Sequence, residues 1–336
     1  MIAGLLLALH GGAASAETAP IIEAATLAVV VNDRDPLSRQ IADYYVDARA
    51  IPEDNLIHVD FEPGQALLPV EQFAAIKPAV DDAAGAHIQA YALAWALPYR
   101  VGCMSVTMAF AAGFDKKWCG GICERTSGTP YFDASIRAPW TEFKLRPAML
   151  LAANDFDDAR ALIDRGIAAD GTSPRGTAYL VETEDRNRNS RAGSYPATVR
   201  RLADRFRIEH VKAPQLEGRD EVMFYFIGAI RVAGLDSIGF LPGAAADHLT
   251  SAGGRLDEDK QMSAMRWLEA GATASYGTVA EPCNFPAKFP NPAVLIRHYL
   301  AGETLLEAYW KSVAMPGQGV FIGEPLARPF PHVTRT

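Results

Sequence analysis

The sequence predicts an α/β protein whose mostly parallel sheet is covered by helices on both faces. The first observation is a set of apolar, β-branched runs, such as residues 26–31 and 222–227, that show no polar alternation. Such runs are typical of strands that are buried on both faces. The second observation is that segments with one apolar helical face separate these runs. Strands and helices that alternate in this way favour βαβ units and a parallel sheet.

The elements follow one another along the chain in a regular order. The first strand is followed by a turn and by a helix that Ser38 can cap and that Pro52 ends. Gly271 is a good C-cap for a later helix. The predicted strands cover residues 26–31, 56–59, 88–95, 177–181, 208–211, 222–227, 238–242, 273–279 and 319–323. The predicted helices cover about 38–48, 70–84, 156–168, 196–206, 261–270, 292–300 and 304–313. We expect one largely parallel sheet to contain the strands near 26–31, 88–95, 177–181, 222–227 and 273–279.

The regular order is interrupted at residues 99–145. This segment holds Cys103, Cys119 and Cys123, two tryptophans and many glycines, with little periodicity. We interpret it as an insertion that packs over the carboxyl edge of the sheet, where α/β proteins place their sites. We expect two of these three cysteines to form a disulfide. The chain has four cysteines, which allow three pairings that the sequence does not rank.

The N-terminal segment predicts export. Residues 2–9 are apolar, and Ala14, Ser15 and Ala16 form an A-x-A cleavage site before a polar stretch. The run is too short to span a bilayer, which takes about 20 apolar residues. The alternative is a buried N-terminal strand. We therefore predict a signal peptide over residues 1–16, a single α/β domain over residues 17–336, and a secreted or periplasmic location.

The overall composition is that of an ordinary globular protein. Hydrophobic residues make up 49% and charged residues 21%, with a formal net charge of −8. A pI near 5.4 without basic clusters argues against nucleic acid or anionic lipid as a partner. The most basic stretch, residues 186–191, follows several acidic residues and is interpreted as a solvated loop. No membrane span is predicted, and the expected partner is an unknown peptide, protein or small molecule.

Familiar cofactor and catalytic motifs are absent from the sequence. It contains no G-x-x-x-x-G-K-[ST], G-x-S-x-G, H-E-x-x-H or EF-hand loop. The glycines of residues 317–323 have the wrong spacing for a dinucleotide fingerprint, and they precede a strand where the fingerprint needs a helix. The sequence therefore predicts no cofactor and leaves enzymatic activity undecided.

The strongest candidate for a catalytic site comes from the late strands. Asp247 and His248 follow one apolar segment, and Glu281 and Cys283 follow the next predicted strand. If these strands are neighbours, all four residues lie at the carboxyl edge of the sheet. An imidazole beside a thiol can act as its base and stabilise the thiolate, and either carboxylate could orient the imidazole. The alternatives are that Cys283 is in a disulfide or buried, and that His248 packs or caps a loop.

The cysteines of the insertion also permit a metal site. Thiolates of Cys103, Cys119 and Cys123, with methionines nearby, would select a soft ion such as Cu(I). On a helix, Cys119 and Cys123 would lie one turn apart, which suits chelation of one ion better than a disulfide. The two glycines between them disfavour a regular helix, and a disulfide that staples the insertion is the alternative.

Several stretches resemble a family of secreted bacterial proteins that carries no established activity. The resemblance spans almost the whole chain after the predicted signal peptide and is densest over residues 267–284. The stretches that carry it are residues 30–38, 48–55, 164–170, 243–251, 261–263, 267–284, 307–311 and 323–326.

The chain is also distantly similar to gingipain-type cysteine peptidases, which have the caspase–haemoglobinase fold. Residues 224–230 resemble the peptidase strand that ends in His-Gly, but Gly228 and Ala229 stand at that place. Residues 244–248 lie near the position of the nucleophile strand and contain no cysteine. Residues 323–325, Gly-Glu-Pro, resemble a G-D-P element. The resemblance implies a caspase–haemoglobinase-like fold, with a flavodoxin-like build as the alternative, and does not carry over the catalytic pair.

Three functions are compatible with the sequence. The first is a thiol hydrolase that acts on peptide or amide bonds through Cys283 and His248. The second is a non-catalytic envelope binding module on a peptidase-like scaffold. The third is a copper-handling protein that uses Cys103, Cys119 and Cys123.

Overall fold

Thirteen strands lie in the part of the chain that the computed structural model describes, residues 21–331. The predicted signal peptide over residues 1–16 lies outside this part. The strands are β1 (Leu27–Asn32), β2 (Leu56–Val59), β3 (Leu67–Leu68), β4 (Ala90–Leu93), β5 (Arg100–Val101), β6 (Met104–Ser105), β7 (Ala148–Leu150), β8 (Thr177–Glu182), β9 (Arg207–Lys212), β10 (Arg219–Gly228), β11 (Ile238–Leu249), β12 (Ala274–Thr278) and β13 (Gly319–Gly323).

Ten of these strands form one sheet in the order β2-β1-β4-β7-β13-β12-β11-β10-β8-β9, and β3, β5 and β6 form a small second sheet. Neighbours in the large sheet are parallel except β12 and β13, which run antiparallel with Tyr276 opposite Phe321. The five strands expected to share one largely parallel sheet do so. The antiparallel pair divides the sheet into two parallel halves, so β8, β10, β11 and β12 end at the edge where β13 begins.

The helices between the strands begin at side-chain caps that the sequence supplies. Asp35, Asp155, Asn291 and Thr304 each accept a hydrogen bond from a backbone N–H in the first turn of a helix. The helices are α1 (Pro36–Arg49), α2 (Val70–Ala83), α3 (Val106–Ala112), α4 (Pro139–Phe143), α5 (Phe156–Ala169), α6 (Tyr195–Leu202), α7 (Met265–Glu269), α8 (Pro292–Leu300) and α9 (Leu305–Ser312). No helix within residues 21–331 is long and apolar enough to cross a membrane.

Helices cover both faces of the large sheet. Every residue of β1 and β13 is buried, although their side chains alternate between the two faces. On one face, Trp267 of α7 packs edge-to-face on Tyr225 of β10. Trp310 of α9 stacks on Phe321 of β13, and both lie in the larger hydrophobic core. The predicted α/β architecture is therefore confirmed.

Two late elements differ from the prediction. β11 continues to Leu249 and does not end near residue 242, because the small residues 244–246 let it pack between its neighbours. Helix α7 begins at Met265 and not at residue 261, since the side chain of Ser263 accepts a hydrogen bond from the backbone N–H of Met265. As a result, Asp247 and His248 lie inside a strand and not in a loop after it.

The cysteine-rich insertion contains β5, β6, α3 and α4 and carries two disulfides. Cys103 pairs with Cys119, which confirms that two of its three cysteines are bonded to each other. Cys123 pairs with Cys283, so the alternative of a disulfide at Cys283 is confirmed, with a partner that the sequence did not identify. Gln318, just before β13, donates a hydrogen bond from Nε2 to the carbonyl of Gly120. This part of the insertion therefore lies at the edge where β12 ends.

Candidate functional site

His248 is held by two hydrogen bonds in the interior. The indole Nε1–H of Trp267 donates to His248 Nδ1 over 2.9 Å, and His248 Nε2 lies 2.9 Å from the carbonyl oxygen of Met262. The ring is buried, and burial lowers its pKa to about 4. His248 is therefore neutral near pH 7, and neither ring nitrogen is available to a substrate.

Asp247 points to the opposite face of the sheet from His248, since successive strand residues alternate. Its Oδ1 lies 2.6 Å from Nη2 of Arg191, and both side chains are almost fully buried. Burial raises the pKa of Asp247, although the Arg191 guanidinium acts in the other direction. Arg191 also donates to the carbonyl oxygens of Ile227 and Pro290. Asp247 thus belongs to a buried ion pair under the sheet edge and does not orient His248.

Cys283 has no free thiol, because it forms the disulfide with Cys123. Glu281 caps the same turn, with Oε1 accepting a hydrogen bond from the backbone N–H of Cys283 over 2.8 Å. A thiolate is the nucleophile in thiol catalysis, and a disulfide sulfur cannot take that role. The predicted pairing of Cys283 with His248 is therefore not formed in this structure.

The same disulfides remove the ligands of the predicted copper site. Cys103, Cys119 and Cys123 are all bonded to other cysteines, so none can supply a thiolate. Within residues 21–331, no group of three or more His, Cys, Asp or Glu residues could hold a metal ion.

A cleft of about 550 Å³ nevertheless lies at the predicted edge of the sheet. Its walls are residues 249–251 at the end of β11, residues 281–285 after β12, and the turn at residues 187–188 after β8. Cys123 of the insertion completes the lining, so the Cys123–Cys283 disulfide forms part of the wall. The volume lies within the range of small-molecule pockets.

Arg188 is the cationic side chain in this cleft, and two neighbours fix its guanidinium. Nε donates to Thr250 Oγ1 over 3.1 Å, and Nη1 donates to Asp185 Oδ2 over 2.9 Å. Thr250 in turn donates to Gln261 Oε1 over 2.6 Å. Burial would raise the pKa of Asp185, but the hydrogen bonds from Arg188 lower it below its usual value. The result is an arginine oriented in advance for a planar anionic group such as a carboxylate.

Arg188 is not among the predicted site residues, because residues 186–191 are interpreted from the sequence as a solvated loop. Two signals pointed the other way: the stretch follows a strand of the parallel sheet, and Asp185 precedes it by a spacing that allows a local ion pair. Arg191 of the same stretch is buried, which a purely basic surface loop would not show.

Gly228 lies at the end of β10, directly against the backbone of the turn that carries Arg188. A Cβ at Gly228 would lie 2.1 Å from the carbonyl oxygen of Arg188, so only glycine allows the turn to approach so closely. Thr183 Oγ1 donates to the carbonyl of Gly228 over 2.7 Å and fastens the turn there. The backbone of the Arg188 turn therefore occupies the space above the end of β10.

A second cleft, of about 680 Å³, lies on the other side of the same turn. It is lined by the ends of β8, β9 and β10, and its charged residues are Glu182, Glu184, Asp185, Lys212 and Arg231. Asp185 lines this cleft, while Asn187 and Arg188 line the first. The two clefts therefore form adjacent depressions along one sheet edge.

Solved structures that resemble this chain share little of its sequence. No protein-family model and no curated protein matches the chain. A solved structure described as "Structure of Protease" is 9% identical, covers 93% of this chain and 80% of its own, and has a TM-score of 0.52. A complex of Porphyromonas gingivalis RgpB pro- and mature domains is 10% identical over 90% of this chain and 79% of its own, with a TM-score of 0.43.

The likeness to the protease shows a shared fold and nothing more at this level of identity. The chain therefore shares its α/β fold with a protein described as a protease, and this likeness carries over no catalytic residue.

Proposed function

We propose that the chain is an exported, non-catalytic binding protein that holds a polypeptide segment in the cleft at the end of β11 and β12. The observation that carries this proposal is the fixed guanidinium of Arg188, which lines a cleft that the Cys123–Cys283 disulfide also lines. A site with a prepared cation, whose cysteines are joined in a disulfide and offer no thiolate, is suited to binding.

A polypeptide ligand fits the shape of this sheet edge. The two adjacent clefts provide space on both sides of the Arg188 turn, as an extended chain would need. The protein of similar fold is described as a protease, an activity whose substrate is a polypeptide. Arg188 would bind a carboxylate of the ligand, either the chain terminus or an acidic side chain.

An extracytoplasmic location is part of the proposal. Both disulfides are compatible with an oxidising compartment, where such bonds form and persist.

The binding proposal is tested with fluorescein-labelled peptides that have either a free C-terminal carboxylate or a C-terminal amide and contain no acidic side chains. Fluorescence anisotropy with the oxidised protein should show tighter binding of the carboxylate peptides. Arg188→Gln should weaken that binding about tenfold or more, as loss of a charge-assisted hydrogen bond does. Arg186→Gln is the matched control, because Arg186 is exposed on the same turn and does not line the cleft. Equal affinities for the two peptide types would contradict binding of a terminal carboxylate, and equal losses in the two variants would contradict this role of Arg188.

The thiol hydrolase alternative has its own test. Fluorogenic peptide substrates should remain intact with both the oxidised protein and protein treated with a reductant. Turnover that appears on reduction and disappears in Cys283→Ser would replace the binding proposal with catalysis.

A further inference from the structure

The two disulfides differ in their exposure and their surroundings. Cys123 is exposed, and Cys283 is half-buried in the cleft wall, so reagents in solution can reach this bond. Cys103 and Cys119 are each half-buried, and Cys119 packs against the hydrophobic core. Access to sulfur is one of the factors that sets the rate of thiol–disulfide exchange.

The insertion is attached to the rest of the fold by contacts other than the Cys123–Cys283 bond. Gly120 is held by Gln318, and the backbone N–H of Thr129 donates to the carbonyl of Ala314 over 3.0 Å. The Cys103–Cys119 disulfide fastens the segment just before Gly120. Opening Cys123–Cys283 therefore frees only the short tip between Gly120 and Thr129.

The other side of the bond is also held independently. Glu281 caps the Cys283 turn, and Tyr276 of β12 donates from its hydroxyl to the carbonyl of Lys288 over 2.6 Å. The segment after β12 thus keeps its attachments on both sides of Cys283. Reduction would separate the insertion tip from the cleft wall without loss of an element of the large sheet.

We propose that Cys123–Cys283 is a thiol–disulfide exchange site that covalently controls one wall of the cleft, with Cys123 as the sulfur that is attacked. This inference rests on the proposed function only in that the cleft is taken as the ligand site. A thiolate of a dithiol attacks Cys123 Sγ, forming a mixed disulfide, and Cys283 leaves as a thiolate facing the cleft. The second thiolate of the dithiol then attacks its own mixed-disulfide sulfur and releases the Cys123 thiolate. The dithiol is oxidised to a cyclic disulfide and supplies both electrons, and the two thiolates take up protons from solvent.

The test uses the folded wild-type protein, in which Cys103–Cys119 serves as the internal control. The protein is exposed to dithiothreitol for increasing times, quenched with N-ethylmaleimide and mapped by peptide mass spectrometry. Cys123 and Cys283 should be labelled about tenfold faster or more than Cys103 and Cys119, while the circular dichroism spectrum stays unchanged. Opening of both bonds at the same rate, or of Cys103–Cys119 first, would overturn the proposal.

A monothiol identifies the attacked sulfur. Incubation with glutathione under the same conditions should give a mixed disulfide on Cys123, and a mixed disulfide on Cys283 would overturn the assignment. The double variant Cys103→Ser/Cys119→Ser should show the same time course at Cys123. None of these measurements uses a peptide ligand, so a negative peptide titration would count against the proposed function alone.

Discussion

The indole N–H of Trp267 donates a hydrogen bond to Nδ1 of His248, and this contact fixes the chemical state of the imidazole. Because an indole can only donate, Nδ1 must be the acceptor and the ring proton must lie on Nε2, where it reaches the Met262 carbonyl. A protonated ring would place a second N–H against the indole N–H. His248 therefore connects β11 to α7 as a neutral structural residue.

This arrangement predicts a loss of stability in mild acid. The pKa of His248 is about 4 in the folded protein and about 6.5 in an unfolded chain, so a falling pH protonates the unfolded state first. The contribution of neutral His248 to the free energy of unfolding is fully present above about pH 6.5. It decreases by about 1.4 kcal/mol per pH unit until about pH 4. We expect His248→Gln, which keeps one donor and one acceptor, to have a smaller difference in unfolding free energy between pH 7 and pH 4.5 than the wild type.

Urea unfolding at the two pH values measures this difference. His58→Gln is the control, because His58 is largely exposed beside Asp33. If His248→Gln and the wild type lose equal stability in acid, the buried neutral imidazole is not the cause.

The order of strands and helices along the chain could be predicted from the sequence, whereas the position of Asp247 and His248 inside a strand could not. Continuous β-branched runs such as β1 are apolar on both faces, and their pattern identifies them. β11 contains Pro242 and Gly243 in its middle, and these residues normally indicate the end of a strand. The prediction therefore placed the two polar residues in a loop after the strand, at the sheet edge where α/β proteins place catalytic residues.

The second prediction concerns the buried pair of Arg191 and Asp247. Removing one partner leaves an uncompensated charge in the interior, which costs about 3–5 kcal/mol. We expect Arg191→Met and Asp247→Leu each to lower the free energy of unfolding by about that amount. The double variant should lose much less than the sum, because neither buried charge remains.

Chemical unfolding of the three variants gives the coupling energy. The exposed pair of Arg160 and Asp157 is the matched control, and its coupling should be below about 1 kcal/mol. Additive losses at Arg191 and Asp247 would show that the two side chains do not depend on each other.

Three of the stretches that carry the resemblance to secreted bacterial proteins come together in the structure, which the sequence alone could not show. Arg49 donates from Nε and Nη2 to the two carboxylate oxygens of Glu324, at 3.0 and 2.7 Å. Asp170 forms an ion pair with the same arginine, and Tyr45 donates to Glu324 over 2.7 Å. Residues from 48–55, 164–170 and 323–326 therefore form one cluster around the buried carboxylate of Glu324, which fastens α1 and α5 to the end of β13. The residues of this cluster are far apart in the sequence, so no local pattern predicts their contact. The same is true of Cys283 and its partner Cys123.

The third prediction concerns Gly277 in β12, which lies directly under the loop that forms part of the cleft wall. A Cβ at Gly277 would lie 2.2 Å from the backbone of Gly253 and Gly254, atoms that cannot move aside as a flexible side chain could. The loop is also held by Thr278, whose hydroxyl lies 3.1 Å from the carbonyl oxygens of Thr250 and Ser251. We therefore expect Gly277→Ala to displace the loop and to destabilise the protein by about 1–3 kcal/mol, as overpacking does.

Gly193→Ala is the matched control, because a Cβ at Gly193 would meet no atom within 4 Å. This change should alter the free energy of unfolding by less than about 0.5 kcal/mol. Displacement of the loop also moves Thr250, which holds Nε of Arg188, so Gly277→Ala should weaken carboxylate-peptide binding while Gly193→Ala should not. Urea unfolding and fluorescence anisotropy measure the two effects separately. If Gly277→Ala leaves the stability unchanged, the loop does not pack on β12 as described. If the variant loses stability but binds the peptide as well as the wild type, Thr250 does not determine the orientation of Arg188.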